Sequence, residues 1–338
     1  MLRLTSAALF LFISFHGCSG HDQAQIQPLK YKAVGATPQV LAVYEAWFGH
    51  PNHINIGYSS HDASVISRQI KDAKAMGISA FVVDWYGDRE PFIDKSYELL
   101  QSQAEKNHFQ IAMMYDESND EDGATDEAIA DLTMFHETYL SPKSPGHQAY
   151  LTYQGRPVIF VFPKGNHTDW DKVRAAVNQW NPAPILIQEN LPGKYGNAFD
   201  GFYAWINPGQ AGWSADGSNW GQPYLDDFYR TMGSKYPDKI VVGGAWAQFN
   251  DKKASWSLNR HISARCGQTY RDTFDYWRKV FPNDPPPFIL VETWNDHEEG
   301  TDIEGGLPSC NKNGSEGPLS PAAAVTTPEA RTAPVTKN

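Results

Sequence analysis

Eight short apolar runs, each rich in β-branched or aromatic residues, constrain this chain more than any other feature. They are VLAVYEAW (40–47), SAFVVDWY (79–86), FQIAMMYD (109–116), PVIFVF (157–162), PILIQE (184–189), DGFYAW (200–205), KIVVGGAW (239–246) and PFILVETW (287–294). Several are apolar without interruption, as strands of a parallel sheet covered on both faces must be. Between the first two, residues 62–76 place Val65, Ile66, Ile70, Ala73 and Met76 on one helical face, with Asp62 as N-cap. Residues 92–107, 125–139, 169–180, 224–235 and 269–280 also read as helices, while the link between the fifth and sixth runs is short and helix-poor. Eight strands with intervening helices over about 250 residues predict an α/β fold, a single (β/α)8 TIM barrel. A doubly wound open sheet is the alternative. No GxGxxG or GxxxxGK(S/T) follows the first run, which disfavours its nucleotide-binding forms.

The two ends of the 338-residue chain read differently from this core. Arg3 precedes an apolar run, 7–15, and then the small residues Gly17, Cys18, Ser19 and Gly20, so residues 1–20 read as an export signal peptide. The run is too short to span a bilayer. Cys18 also stands where a lipoprotein carries its lipid anchor, although Phe15 and His16 make a poor lipobox. The expected location is outside the cytoplasm: periplasmic, cell-surface or secreted. Residues 21–36 form a polar leader, and 311–338, rich in Pro, Ala, Thr and Ser, read as a disordered tail. The expected domain is therefore 37–310. A formal net charge of −11 gives no reason to expect nucleic acid or an anionic membrane surface as partner. Cys266 and Cys310 both follow late strands; they can pair in an oxidising compartment or remain free thiols, and the oligomeric state is open.

In such a barrel, function gathers at the C-terminal ends of the strands. The first run ends in Tyr44, Glu45 and Trp47, the second in Asp84, Trp85 and Tyr86, the third in Asp116 and Glu117. The fifth ends in Glu189, the sixth in Trp205 and the seventh in Trp246. Carboxylates and aromatics thus share one rim. A glycosidase needs such a rim: one carboxyl to protonate the leaving oxygen, another to activate a nucleophile, and flat faces to hold sugar rings. Each residue also has a plainer reading. A strand-end acid caps the next helix or pairs with an Arg, and a Trp packs in the core.

The eighth run leads directly into TWNDHEEGTDIE (293–304), which holds five acidic residues. A surface charge run would account for them, but this one follows a buried-looking strand. Like charges grouped there raise some carboxyl pKa values, which suits a general acid. Gly300 lets the chain turn sharply after the pair. No set of two His and a carboxylate stands out as metal ligands, and no cofactor is expected.

This segment resembles the last-strand motif of glycoside hydrolase families 71 and 99, in which an Asn precedes two acids spaced D-x-x-E or E-x-x-E. Here these map to Asn295, Asp296 and Glu299, and the trailing GTDIE (300–304) is similar to the GTQIE of family 99. VYEAWFGHP (43–51) and GYSSHDASVISRQIKDAKAMGISAFVVDWYG (57–87) look like the family opening, and ASWSLNRHISARCGQTY (254–270) looks like relatives of the clan. The resemblance implies a (β/α)8 barrel acting on α-linked glycans, mannan in one family and 1,3-glucan in the other. It implies Glu299 as acid and Asp296 as base, acting on the sugar's own 2-hydroxyl or on water. Tyr44, Glu45, Trp47, Asp84, Trp85, Asp116, Glu189, Trp205, Trp246 and Asn295 are the expected substrate-binding set. Asp296 stands where family 99 usually has Glu, and His297 and Glu298 where it has Trp and His. The rival readings are a carbohydrate-binding barrel that has lost its chemistry, and an enzyme of another class, for which no GxSxG is present.

Overall fold

The computed structural model describes residues 37–118, 122–164, 167–310 and 316–320. The strands are β1 (Gln39–Tyr44), β2 (Ala80–Trp85), β3 (Gln110–Asp116), β4 (Arg156–Phe162), β5 (Ile185–Glu189), β6 (Gly201–Tyr203), β7 (Ile240–Ala245) and β8 (Phe288–Val291). Each pairs in parallel with the next, and β8 pairs with β1, so the sheet closes and the open-sheet alternative falls away. The helices are α1 (Ala63–Ala75), α2 (Pro91–Lys106), α3 (Ala124–Phe135), α4 (Trp170–Val177), α5 (Gln222–Lys235) and α6 (Gln268–Phe274). Asp62 caps α1 as expected, its carboxylate accepting the Ser64 and Val65 N–H groups.

Strand side chains alternate between two layers, because successive residues point to opposite faces. Leu41, Val43, Ala80, Val82, Ala112, Met114, Val158, Phe160, Ile185, Ile187, Val242 and Leu290 fill the barrel interior. Ala42, Tyr44, Phe81, Val83, Trp85, Met113, Ile159, Leu186, Phe202 and Val291 pack outward against the helices. This alternation decides which strand-end residues can meet a ligand. Continued one step past the layers, the interior register holds Glu45, Asp84, Asp116, Phe162, Glu189, Gly244 and Glu292. Gly244 leaves room there: a Cβ on it would lie 2.9 Å from a Glu292 carboxyl oxygen.

Cys266 and Cys310 form a disulfide, with Cα atoms 4.9 Å apart, and this settles what spacing left open. Just beyond it, Leu307–Cys310 pairs antiparallel with Glu316–Ser320. The expectation of disorder from residue 311 onward is therefore corrected for these five residues. The bridge anchors Cys310, and backbone pairing needs no apolar periodicity. The signal peptide, the Cys18 anchor, the polar leader and the rest of the tail lie outside the described residues.

Candidate active site

A cleft of about 570 Å³ opens at the C-terminal end of the barrel. Glu45, Trp47, Asp84, Asp116, Trp205, Asp296 and Glu299 line it, so seven of the expected site residues come together.

The segment after β8 builds the acidic pair. Asp296 is 4% exposed, and its Oδ1 accepts the N–H groups of Glu298 (2.9 Å) and Glu299 (2.8 Å). Its own N–H bonds the Thr293 hydroxyl at 2.8 Å. The loop therefore holds the Asp296 carboxylate by its own backbone, leaving Oδ2 for chemistry. Gly300 ends the turn at φ +62, with the Asn250 carbonyl 3.2 Å from where a Cβ would sit. Burial and the neighbouring Glu299 push the Asp296 pKa well above the usual carboxylate range. Burial also raises Glu299, while the Trp256 indole N–H, at 2.9 Å from Oε1, and Arg260, at 3.5 Å, hold it down. Neighbouring carboxyls in so buried a site share protons rather than both ionising, with Trp256 and Arg260 drawing the shared proton away from Glu299 and toward Asp296.

Three further acids face the same space. Glu45 is 4% exposed, and burial with the nearby Asp84 and Asp296 lifts its pKa strongly. Burial and Asp116 push Asp84 up to about 8, against the pull of a 2.6 Å hydrogen bond from the Tyr86 hydroxyl. Asp116 is paired with the Lys164 ammonium. Aromatic rings wall the cleft: Trp47 stacks on His53 at 4.7 Å and meets Trp256 edge-on at 6.3 Å.

The remaining expected residues take other places. Tyr44 points outward, where its hydroxyl donates to Gln69 at 2.8 Å, and Trp85 packs against Phe135 and donates to Asp94 at 3.2 Å. Both follow the outward register, so neither reaches the cleft. Trp246 is fully buried and its N–H bonds the Trp220 carbonyl at 2.9 Å, which ties the loop ahead of α5 to the core. Asn295 is also fully buried and grips the Glu45 backbone rather than facing a ligand. Glu189 does not line the cleft. Burial pushes its pKa up to about 7, and it accepts the Asn190 side-chain amide at 2.5 Å.

Sequence reasoning passed over several contributors. Trp256 and Arg260 come from a loop that leaves β7 and returns through pairing of Phe249–Asn250 with His261–Ile262. Buried Asp251 organises that loop, accepting the Leu258 and Arg260 N–H groups and the Arg260 guanidinium. The guanidinium lies over the rings of Phe249 (5.1 Å) and Trp213 (5.6 Å). Glu298 holds His53 (2.9 Å) and the Ile54 N–H (3.1 Å), fixing the loop after β1 as one wall. Among the described residues, no group of three or more His, Cys, Asp or Glu is arranged to hold a metal ion.

A closed parallel barrel with an acidic pair after its last strand, facing an aromatic-walled cleft, has the form of a barrel glycosidase. The chain belongs to glycosyl hydrolase family 71, whose sequence model matches residues 51–314, and it is a glycoside hydrolase. No curated protein matches it significantly. Among solved structures it is similar to the GH99 endo-α-mannosidase from Bacteroides thetaiotaomicron. One structure of that enzyme has 17% identity and a TM-score of 0.65, covering 86% of this chain and 95% of that one. A second, in complex with bis-tris propane, has 18% identity and a TM-score of 0.63, covering 81% and 89%. A glycoside hydrolase-like protein has 14% identity and a TM-score of 0.57, covering 82% and 89%. At these identities the likeness speaks for the barrel.

Proposed function

We propose that this enzyme cleaves an α-linked glycan of the α-glucan or α-mannan type, outside the cytoplasm, with Glu299 as general acid and Asp296 as base. The observation that carries this reading is the presence of both carboxyls in one cleft, each with one oxygen already held by the protein. Trp256 occupies Oε1 of Glu299, and backbone N–H groups occupy Oδ1 of Asp296. The other oxygen of each is left to the substrate. Glu299 gives its proton to the glycosidic oxygen as the bond from the anomeric carbon breaks. Asp296 takes the proton of the attacking hydroxyl, from water or from the sugar's own 2-position. Trp47 and Trp205 supply apolar faces for sugar rings. Family membership supports glycoside hydrolysis, and the endo-α-mannosidase neighbour supports the α-linkage. The Cys266–Cys310 bridge and the N-terminal signal pattern support export.

The test is sugar release from α-1,3-glucan, α-mannan and matching β-linked polymers. Release from an α-linked polymer supports the reading. Release from β-linked polymers alone, or from none, contradicts it.

A further inference from the structure

The large apolar side chains left exposed among the described residues are Trp256, at 42%, and Leu258, at 74%. Single exposed apolar residues are ordinary on protein surfaces, but these two stand two positions apart in one loop, and Trp256 lines the cleft. That loop is firmly held. The buried Asp251 carboxylate accepts the Ser257 hydroxyl at 3.1 Å, the Leu258 N–H at 3.0 Å and the Arg260 N–H at 2.9 Å, which fixes the chain just after Trp256. Trp256 is itself tied by its indole N–H to Glu299. Its ring meets Trp47 edge-on at 6.3 Å, and among the described residues no ring stacks on it.

The roles of the acidic pair decide which sugar this ring can meet. The base acts on the hydroxyl that attacks the anomeric carbon, so the sugar that keeps this carbon sits over buried Asp296. The acid acts on the glycosidic oxygen, and the leaving sugar hangs from the far side of that oxygen. Trp256 touches Glu299 and is open to solvent, so it stands where the leaving sugar passes from the acid toward the mouth of the cleft. With its N–H committed, the indole offers a ligand its flat apolar face. The C–H face of a pyranose ring matches that face and buries apolar area against it. A ring already held in place loses little freedom when a ligand covers it.

We propose that Trp256 is the platform for the sugar on the leaving-group side, and so selects glycans that present a closed pyranose ring there. An open-chain polyol in the same place has no such face and gains nothing from the indole. The inference rests on the reading of Glu299 as acid and Asp296 as base, since those roles set the side of the bond that the ring faces.

The test uses tetrasaccharides of the α-1,3-glucan and α-mannan series, each with an isotope-labelled reducing-end unit, before and after that unit is reduced to its open-chain alditol. Release of the labelled unit is followed by mass spectrometry for the full-length wild type, Trp256→Phe and Trp256→Gln. Both forms leave as alcohols that need the acid's proton, so the ratio of their kcat/KM values reads the ring and cancels the strength of the acid. The wild type should favour the closed ring by about tenfold. Trp256→Phe keeps a ring without the donor and should keep most of that ratio. Trp256→Gln keeps an N–H donor for Glu299 without the ring and should bring the ratio near one. If thermal unfolding shows that Trp256→Gln does not fold, Trp256→Ala carries the comparison. Equal wild-type rates on both forms, a preference that survives loss of the ring, or one lost as fully in Trp256→Phe as in Trp256→Gln would overturn the proposal. Hydrolysis without ring preference defeats this inference and leaves the enzymatic reading standing. No hydrolysis of either tetrasaccharide or of the parent polymers defeats that reading and this inference with it.

Discussion

The side-chain amide of Asn295 closes on both backbone groups of Glu45: Oδ1 accepts its N–H at 2.8 Å, and Nδ2 donates to its carbonyl at 2.9 Å. The end of β1 and the loop carrying Asp296 are thus fastened together through one buried residue. In Asn295→Ala two buried backbone groups lose their partners, a cost of about 2–3 kcal/mol. Denaturant unfolding should show that loss, and kcat should fall with it. A change below about 0.5 kcal/mol would show that the clamp contributes little.

Trp256 is 42% exposed, yet its indole N–H reaches Glu299 at 2.9 Å and favours the ionised carboxylate. Trp256→Phe keeps a ring and removes that donor, so the Glu299 pKa rises. The alkaline limb of kcat/KM, where the acid loses its proton, should move to higher pH. A limb that stays in place or moves down would argue against Glu299 as the titrating acid.

His297 sits between Asp302 (3.2 Å) and Glu304 (3.3 Å). Burial opposes its charge, but the two carboxylates win and raise its pKa from 6.5 to about 9. A raised histidine pKa means the folded state holds its proton more tightly than the unfolded chain. The resulting stability is fully present below pH 6.5 and is lost as pH rises through about 9. The stability deficit of His297→Gln relative to the wild type should therefore be largest below pH 6.5 and shrink toward pH 9 in urea titrations. A deficit that grows with pH would reverse the assignment.

The Cys266–Cys310 bridge closes a loop across 44 positions. Loop-closure arguments put its contribution at about 2–4 kcal/mol. Cys310→Ala should lower the denaturation midpoint accordingly, and reductant should do the same to wild type but not to the variant. Equal sensitivity of both proteins to reductant would show that the bridge is absent in solution.

All eight strands were legible because parallel barrel strands are buried on both faces and stand out as apolar runs. Their ends were less so. VLAVYEAW continues to Trp47, but β1 stops at Tyr44, where the chain turns into the cleft wall. Asp296, Glu299, Glu45, Asp84 and Asp116 were readable as strand-end acids on the barrel rim. Tyr44 and Trp85 were misplaced because their neighbours drew attention to the rim while period-2 alternation turned them outward. Counting parity from Val43 and Val82 separates them from Glu45 and Asp84. Trp246 lies past the end of β7, where parity no longer decides. No local pattern announces the Glu298 contact with His53, 245 positions apart, or Lys164 beside Asp116. Trp256 and Arg260 fell within the 254–270 segment that resembles the clan, but nothing local aimed them at Glu299.

The role of Glu299 as proton donor is tested most directly by leaving-group dependence. The rates of wild type and Glu299→Gln would be compared on an α-linked glycan and on the same sugar carrying a dinitrophenolate leaving group. A glycan oxygen needs the proton and a dinitrophenolate does not, so the variant should lose about 10²–10⁴-fold on the glycan and far less on the activated substrate. Equal losses on both, or no loss on the glycan, would contradict the assignment of Glu299 as the acid.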